Sequence, residues 1–450
     1  MTRTSTQHAT RRTLAALVAA VVLAAPGMAH ADTAKEQELE ARVADLEKLV
    51  RQLLAEKQAA APAAAPVTQV AAAPAKAGPP PIQDTTITPN ALAGTKFTFT
   101  GFLKLDALYS KYTDGEVADG SVGRDFYLPS SIPVGGVDEQ ADFDAHIKQS
   151  RFIFATDTAT KDGHKLSTKL EFDLYGSTLG DERATNTYGL QVRHAFLTYD
   201  DWLFGQTWSN FQDAAVLPES VDFIGPTDGT IFVRQPQVRF TRGGFSASLE
   251  NPETTLTPYG GGTRISSDDN DLPDLTAAYS FKFARGYVRL AGLARQLKYE
   301  NGSFNDDEYS LAGSLSGKIM LGKDDIRFML TAGDGIGRYI GVNFTNDAVI
   351  DTPDGRLESI SGWAGFAAWR HVFTDRFRTN LAISSSEYDN DITLTGGAAS
   401  KSTFTWSLNA LYSPVPKLDL GVEYRQATRE VESGAEGDLR RLQATAKYSF

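Results

Sequence analysis

Apolar and polar residues alternate strictly along the last eleven residues of the chain, 440–450. One face of an extended strand there would carry only apolar side chains, namely Leu442, Ala444, Ala446, Tyr448 and Phe450. The opposite face would carry Arg441, Gln443, Thr445, Lys447 and Ser449. Because successive side chains of a strand point to opposite sides, the pattern predicts a wall with lipid on one side and water on the other.

The same alternation recurs from Lys96 onward in about sixteen segments, a count that rests on turn signals between them. Ionic residues in these segments face opposite the apolar rows, which suits a water-filled lumen better than a dry sandwich core. In one late segment the apolar row is Leu418, Leu420, Val422 and Tyr424, and the polar row is Lys417, Asp419, Glu423 and Arg425.

The connections between the segments alternate in expected length. Seven are short, at 158–163, 200–201, 242–244, 283–286, 319–325, 372–375 and 413–417. Eight are long, near 113–145, 176–187, 208–234, 251–273, 299–307, 334–358, 387–401 and 430–438. Tight turns at one end and long loops at the other are typical of an even-stranded barrel with both chain ends in the periplasm. The sequence therefore predicts an all-β fold, a sixteen-stranded antiparallel transmembrane β-barrel over residues 96–450.

Two segments of the predicted barrel, 287–298 and 359–370, lose the regular alternation. A β-bulge shifts side chains from one face to the other, so we expect either a bulge or a contact with another subunit there.

The N-terminal residues 1–31 have the features of an export signal. Arg11 and Arg12 precede an apolar stretch at 14–25, and Ala29-His30-Ala31 forms an A-x-A cleavage site. The apolar part is too short to span a membrane. We expect Sec export, because a barrel protein must cross the inner membrane unfolded.

Residues 32–58 are predicted to form an α-helical coiled coil. Apolar residues recur at intervals of four and three positions and form a seam of Leu39, Val43, Leu46, Val50 and Leu53. Val at a with Leu at d favours a dimer, whereas Leu49 and Leu54 widen the stripe and allow a trimer. A helix lying on the barrel or on peptidoglycan is the alternative. The Ala/Pro-rich residues 59–95 are predicted to be a semi-stiff linker.

Composition narrows the class further. The chain has no cysteine, which excludes disulfides and thiolate metal sites. Its formal net charge of −12 becomes −15 once residues 1–31, with three arginines and no acid, are removed. Such acidity argues against nucleic acid as a partner. Beyond the signal no apolar run reaches 18 residues, which excludes a helical membrane protein.

The loop at 208–234 is the candidate constriction of the lumen. It is long and contains apolar residues that would be unfavourable in bulk solvent, and folding it into the lumen would bury them. The candidate constriction residues are Trp208, Phe211, Asp213, Phe223 and Arg234. The alternative is a loop that packs across a subunit interface.

Strand parity places basic side chains on the lumen side. They are Arg151, Lys169, Arg193, Arg239, Arg327, Arg378 and Arg425, together with Arg376 and Lys447. Three of them, Arg151, Arg193 and Arg239, lie in strands near the candidate constriction, where guanidinium forks can bind carboxylates in bidentate fashion. Acids also face inward, among them Glu171 and Asp173, so each arginine can instead be an ion-pair partner in the wall.

The acidic residues are concentrated in two long loops. They are Asp114, Glu116, Asp119, Asp138, Glu139, Asp142 and Asp144 in the first, and Asp268, Asp269, Asp271 and Asp274 in the fourth. Such carboxylates can bridge to lipopolysaccharide through divalent cations, or can simply be solvated.

Enzymatic chemistry is not supported. The histidines at 146, 164, 194 and 371 are scattered and lack a G-x-S-x-G or comparable nucleophile context. Gly260-Gly261-Gly262 is interpreted as a flexible loop tip and not as a nucleotide site. We therefore expect no enzyme, no cofactor and no metal site.

Three stretches resemble the central signature of the DcaP-like trimeric porin family. They are VRHAFLTY at 192–199, LFGQTWSNFQD at 203–213 and RQPQVRF at 234–240. The order of signal peptide, coiled coil, linker and sixteen-stranded barrel is similar to that family as well. The resemblance implies that three barrels associate and that each conducts small solutes, with a preference for anions.

The terminal Phe450 resembles the ending of bacterial outer-membrane β-barrels, where it is a signal to the barrel assembly machinery. We therefore expect a porin in the outer membrane of a Gram-negative bacterium, in contact with lipid and lipopolysaccharide, with its N-terminal segment in the periplasm. The alternative function is a non-conducting barrel that tethers or adheres through its coiled coil and loops.

Overall fold

The computed structural model describes residues 91–92, 94–176, 185–302, 304–351 and 356–450. The predicted signal peptide, the coiled-coil seam and nearly all of the predicted linker lie outside the described residues. Among the described residues, no helix has the length and apolar character needed to cross a membrane.

Strands make up most of the described part of the chain. In chain order they are β1 Lys96–Tyr112, β2 Asp142–His146, β3 Arg151–Ala159, β4 Lys165–Gly176, β5 Gly189–Tyr199, β6 Trp202–Trp208, β7 Arg234–Arg242, β8 Phe245–Glu250, β9 Thr254–Thr257, β10 Ile265–Ser267, β11 Asp274–Phe283, β12 Gly286–Asn301, β13 Phe304–Leu321, β14 Asp324–Asp334, β15 Ala348–Ile350, β16 Leu357–Ser359, β17 Ser361–Thr374, β18 Phe377–Asp389, β19 Ser400–Val415, β20 Leu418–Val431 and β21 Glu436–Ser449.

Within the described residues seventeen of these strands close into a barrel of sixteen antiparallel strands, because β2 and β3 count as one. β2 and β3 both pair with β1 and together form the second barrel strand, which residues 147–150 interrupt. The last strand, β21, pairs with β1 over eleven residue pairs and closes the sheet. The sixteen-stranded antiparallel barrel expected from the sequence is confirmed.

Phe450 extends the closing seam beyond β21. Its backbone N–H donates to the carbonyl of Gly101 at 3.0 Å, and its carbonyl accepts from the Gly101 N–H at 3.3 Å. The ring of Phe450 lies 5.4 Å from the ring of Phe99, which belongs to the outward apolar row of β1. The terminal residue is thus part of the wall.

Burial follows the predicted alternation in the wall. In β21, Leu442 is 49% exposed, whereas its neighbour Arg441 is only 1% exposed. The outward rows of the other barrel strands are likewise apolar and exposed, as in Phe97, Phe99, Leu103, Leu105 and Tyr109 of β1. The barrel wall therefore has an apolar outer face and a largely polar inner face.

The two ends of the barrel differ in their connections. At one end, called the turn end, short turns join the strands, with β5 and β6 separated by residues 200–201 alone. The opposite, loop end carries the longer connections, including 113–141, 209–233 and 335–360. Two of the predicted long loops, near 299–307 and 430–438, are wrong. Strand pairing continues to Asn301↔Phe304 in β12–β13 and to Glu430↔Glu436 in β20–β21. Long hairpins replace those loops.

Shorter elements lie among the connections at the loop end. In the described residues β9, β10, β15 and β16 form a separate four-stranded sheet. The α-helical turns are α1 Val122–Asp125 and α2 Ile392–Thr395. The 3-10 turns are Pro129–Ser131, Ala214–Val216, Thr227–Gly229 and Gly337–Tyr339.

Candidate functional site

The segment 209–233, which joins β6 to β7, folds into the barrel and is called the lumen segment. Near its start, Asp213 accepts hydrogen bonds from the Tyr287 hydroxyl at 2.9 Å and from the Ser316 hydroxyl at 2.8 Å. The same carboxylate accepts from the Ala215 N–H and caps the 3-10 turn Ala214–Val216. The segment is thereby held to the inner face of β12 and β13.

The middle of the lumen segment reaches the other side of the barrel. Glu219 accepts from the Arg378 Nε at 2.9 Å, and the Val221 N–H donates to Glu423 at 2.8 Å. The carbonyl of Val221 accepts from Lys104 Nζ at 2.6 Å. These partners belong to β18, β20 and β1, so the segment crosses the lumen.

The return path of the lumen segment runs along β17 and β18. Asp228 is fully buried and accepts from Ser384 at 2.6 Å and from Thr403 at 3.2 Å. Burial raises the pKa of the Asp228 carboxyl, and the hydrogen bond from Ser384 opposes that rise. A Cβ on Gly229 would lie 2.2 Å from the carbonyl oxygen of Gly365, so only glycine fits this close approach.

Apolar side chains of the lumen segment pack against the inner wall. Phe211, Val216 and Ile231 are buried in one cluster with Leu293, Met329, Ile336, Tyr339, Ile340, Phe344, Ile360, Ala364, Phe366 and Tyr388. The bulge expected at 287–298 and 359–370 is wrong, since strand pairing is continuous over 286–301 and 361–372. The alternation slips there because the inner face is itself apolar where the segment covers it.

The first long loop, 113–141, also folds inward, which the sequence analysis did not expect. Tyr127 is fully buried, its N–H donates to Asp222 at 2.7 Å, and its ring lies 4.8 Å from the Arg425 guanidinium. Phe126 packs against Phe223 of the lumen segment, with ring centroids 5.3 Å apart. The sequence signal was the group of apolar residues Phe126, Tyr127, Leu128 and Ile132 within an otherwise acidic loop.

Three of the predicted lumen cations belong to one ion-pair network. Arg193 binds Glu171 at 3.1 Å and Asp173 at 2.8 Å, and all three side chains are almost fully buried. Glu171 also pairs with Arg151 at 3.3 Å and with Lys169 at 2.7 Å. The three cations share two carboxylates, so the wall neutralises most of their charge and the network keeps one positive charge.

Three other predicted cations have acidic partners as well. Arg327 pairs with Asp325 at 2.6 Å, and Arg425 pairs with Glu423 at 2.8 Å. Arg378 lies between Glu219 and Asp419 at 2.9 and 3.1 Å. Of the other two cations that parity places inside, Arg376 lies in the exposed turn between β17 and β18, and Lys447 Nζ lies 4.5 Å from the centroid of the Phe102 ring.

Among the predicted cations inside the barrel, Arg239 and Lys447 form no ion pair with a carboxylate of the described residues. Arg239 donates to Gln237 at 2.8 Å and to the Trp208 carbonyl, and no carboxylate of the described residues lies within 4.0 Å of its guanidinium. The same holds, within the described part of the chain, for Arg234 and Arg289. Arg234 stacks over Trp208 at 5.1 Å, and Arg289 donates to the Asn210 carbonyl at 2.7 Å.

Arg234, Arg239 and Arg289 thus surround the start of the lumen segment and are called the loop-base arginines. All three are half-buried, and Arg234 Nη1 and Arg289 Nε are buried without a hydrogen-bond partner in the described part of the chain. Sequence reasoning missed Arg289 because it lies in the stretch where alternation slips. Arg289 lies an even number of positions from the buried Leu293, so both side chains are on the same face of β12. This spacing is the signal that places Arg289 inside.

Two of the candidate histidines lie apart from this group. His164 pairs with Asp200 at 2.7 Å and His371 with Asp324 at 2.7 Å, both at the turn end. His194 lies beside the group, since it contacts Thr207 at 2.9 Å and its ring centroid is 5.4 Å from that of Trp208. Among the described residues no group of three or more His, Asp or Glu is arranged to hold a metal ion.

Comparison with known families shows to which protein family the chain belongs. Residues 82–450 match the model of the DcaP outer membrane protein family. The chain belongs to the DcaP family. This confirms the resemblance seen in the motifs at 192–240, and it places the protein in an outer-membrane porin family.

One solved structure agrees with this assignment. The chain is similar to the outer membrane channel DcaP of Acinetobacter baumannii, with 25% identity and a TM-score of 0.65, covering 80% of this chain and 99% of that one. It also matches OmpT of Vibrio cholerae with 13% identity and a TM-score of 0.47, covering 80% of this chain and 99% of that one. Salmonella typhi OmpF in complex with daunomycin matches with 11% identity and a TM-score of 0.49, covering 79% of this chain and 98% of that one. No curated protein matches the chain.

In this DcaP-family barrel, replacing Arg193 by Gln is expected to destabilise the fold. Asp173, which is fully buried, would lose its 2.8 Å ion-pair partner. Removing one partner of a buried pair typically costs about 3–5 kcal/mol. The free energy of unfolding, measured by denaturant titration in detergent, should fall accordingly.

The matched control is Arg242→Gln, since that side chain is 79% exposed and its pair with Asp201 spans 3.6 Å. Exposed pairs contribute about 0–1 kcal/mol, so the control should unfold like the parent protein. Equal unfolding free energies for Arg193→Gln and the parent would show that this network does not brace the wall.

Proposed function

We propose that this protein forms a water-filled channel for passive diffusion of small hydrophilic solutes and favours anions such as carboxylates. A sixteen-stranded barrel is wide enough to leave an aqueous passage, whereas an eight-stranded one is filled by side chains. The lumen segment supports the proposal, because a channel that selects among solutes needs a narrowed section. Membership of the DcaP family, and the printed description of its Acinetobacter baumannii relative as a channel, agree with conduction.

The observation that carries the anion preference is that the loop-base arginines have no carboxylate partner among the described residues. Arg151, Arg193, Arg327, Arg378 and Arg425 each have a carboxylate within 4.0 Å, and the loop-base arginines have none among the described residues. A paired cation presents little net charge to a passing ion. Each loop-base arginine therefore adds positive charge without an adjacent carboxylate at the start of the lumen segment, where low-dielectric walls strengthen its field.

The geometry of these side chains suits carboxylates. A guanidinium group offers several N–H donors in a planar fork, and carboxylates accept two parallel hydrogen bonds from it. The guanidinium N–H groups of Arg239 and Arg289 donate their hydrogen bonds to neutral carbonyl or amide oxygens. A solute carboxylate can replace these weaker acceptors without breaking an ion pair.

The proposal includes the setting of the channel. The loop end faces the exterior and meets lipopolysaccharide, and the turn end faces the periplasm with the N-terminal segment. Three barrels associate, assisted by the coiled coil at 32–58. Phe450 supports recognition by the barrel assembly machinery, because it is an integral part of the closing seam.

The test is the reversal potential of the parent protein in a planar bilayer that separates two concentrations of KCl. We expect a potential of the sign produced by chloride permeation, and a larger one at low salt, where charge in the lumen is least screened. A reversal potential of the cation-selective sign would overturn the anion preference while leaving the channel intact.

One observation favours the alternative of a non-conducting barrel. Two segments, 113–141 and 209–233, fill the interior, and Tyr127, Phe211 and Ile231 are fully or almost fully buried between them and the wall. A plugged barrel would serve as a tether or adhesin through its coiled coil and loops. The same bilayer recording separates the two functions, since a plugged barrel gives no unitary current steps.

A further inference from the structure

A cavity lies at the loop end, among the long connections. Its volume is about 420 Å³, which falls within the roughly 300–1,000 Å³ of small-molecule sites. Residues of four separate loops and of β20 line it, including Thr257, Arg264, Asn346, Ser400 and Arg429. Neither the constriction residues nor the loop-base arginines contribute to it.

Two arginines dominate the chemistry of this cavity. Arg264 donates to the Asn346 side chain and to the Asn343 carbonyl at 2.7 Å. Arg429 donates to the carbonyls of Ser130 and Ile132 at 3.0 and 2.9 Å. In the described part of the chain no carboxylate lies within 4.0 Å of either guanidinium. The Nε of Arg429 is buried and has no hydrogen-bond partner there.

Two acids that could neutralise these arginines, Asp347 near Arg264 and Glu430 next to Arg429 in the chain, already have partners. Asp347 is buried and is held by Arg295 at 2.8 Å and by the Arg338 N–H at 2.8 Å. Glu430 follows Arg429 in the chain but pairs with Lys401 at 2.8 Å. The cavity therefore keeps a net positive charge that its own wall does not neutralise.

The rim of the cavity is built by two glycine turns in direct contact. A Cβ on Gly261, whose φ is +91°, would lie 2.7 Å from the Thr395 carbonyl oxygen. The Gly260 N–H donates to the Leu394 carbonyl at 2.7 Å. Gly260-Gly261-Gly262, interpreted from sequence as a flexible tip, is thus fixed against α2. Hydroxyl groups of Thr257, Thr345, Thr395 and Ser400 complete the lining.

We propose that this cavity is a binding site for a small anion with a carboxylate or phosphate group, held by Arg264 and Arg429 and by the surrounding hydroxyls. Arginine forks recognise both groups in bidentate fashion, and the hydroxyls can bind polar atoms elsewhere in the ligand. The proposal does not depend on conduction, because a closed barrel would bind the same ligand. The phosphate can belong to a free solute or to a lipopolysaccharide headgroup.

The test is isothermal titration of the detergent-solubilised full-length protein, refolded without lipopolysaccharide, with inorganic phosphate and with succinate. Arg264→Gln combined with Arg429→Gln is expected to weaken binding by about ten-fold or more, because two charge-assisted donors are lost. The matched control is Arg356→Gln, a loop-end arginine whose side chain is 69% exposed. It should bind like the parent protein.

A second variant leaves both arginines in place. Ala398 lines the cavity and is exposed, so Ala398→Trp should fill the space without disturbing the core and should also abolish binding. Heat-modifiability on gels checks that each variant is folded. No binding by the parent protein, or unchanged binding by both variants, would overturn the proposal. Binding that is lost only in Gln variants of the loop-base arginines would overturn it as well.

Competition identifies the source of the ligand. If purified lipopolysaccharide displaces bound phosphate from the parent protein, the site accepts the lipid headgroup. If lipopolysaccharide leaves phosphate bound, the site is reserved for free anionic solutes. Both results support an anion site, and they differ in which molecule occupies it at the membrane surface.

Discussion

Deleting residues 214–224 is expected to raise the single-channel conductance several-fold and to admit larger solutes. This part of the lumen segment reaches from β13 to β20 and makes the contacts of Glu219 and Val221 with the far wall. Its removal opens the cross-section of the barrel without touching a strand. Unitary current steps in planar bilayers and liposome swelling with sugars of increasing size measure the effect.

The barrel itself should survive this deletion, because β1 to β21 still close through their ladder of backbone hydrogen bonds. Heat-modifiability reports on that closure. A gentler variant, Glu219→Gln, weakens the attachment to Arg378 and Arg370 and should increase current noise more than mean conductance. Unchanged conductance together with a lost oligomer would assign the segment to a subunit interface.

Replacing Arg234, Arg239 and Arg289 together by Gln is expected to move the reversal potential toward cation selectivity. It should also slow the uptake of a small dicarboxylate. These side chains have no carboxylate partner in the described part of the chain, so each substitution removes uncompensated positive charge. At about 0.15 M salt the Debye length is about 8 Å, so lumen charge acts on a passing ion while distant loop charge is largely screened.

Two controls separate local from total charge. Arg193→Gln with Asp173→Asn removes one cation and the anion bound to it at 2.8 Å, so the selectivity should change little. Neutralising Asp268, Asp269 and Asp271 removes three acids of an outer loop and should also have a small effect. A shift of equal size and opposite sign in the Asp268, Asp269 and Asp271 variant, with no shift in the charge-conserving double variant, would show that total charge, and not the loop-base arginines, sets the selectivity.

Much of the architecture could be predicted because alternation reports directly on a two-sided wall. Strand number, the closing strand and the inward direction of the arginines all follow from side-chain parity. Parity fails where both faces are apolar, as at Leu293 and Phe366, since it cannot anticipate a segment packed inside the lumen. The misjudged lengths of the connections at 299–307 and 430–438 have another origin, since polar strand ends resemble loops when no partner strand is visible.

The ion-pair partners of the lumen cations were harder to predict than the inward direction of their side chains. Arg193 and Asp173 are twenty positions apart and meet only because β4 and β5 pair with a register shift between Glu171 and Phe172. A change of one residue in that register would alter which arginine is neutralised. Strand register therefore decides which lumen cations are paired and which are unpaired. The composition of the sequence and the spacing of its residues do not reveal that register.

The lumen segment also has a consequence for the order of folding. Its partners include Lys104 on the first strand and Glu423 and Gln443 on the last two, which lie more than 300 residues apart in sequence. These groups come together only when β1 meets β21. We infer that the segment reaches its final position in the same late event that joins the two edges of the sheet, and that it draws them together from inside. Substitutions in it would then alter the rate of assembly as well as permeation.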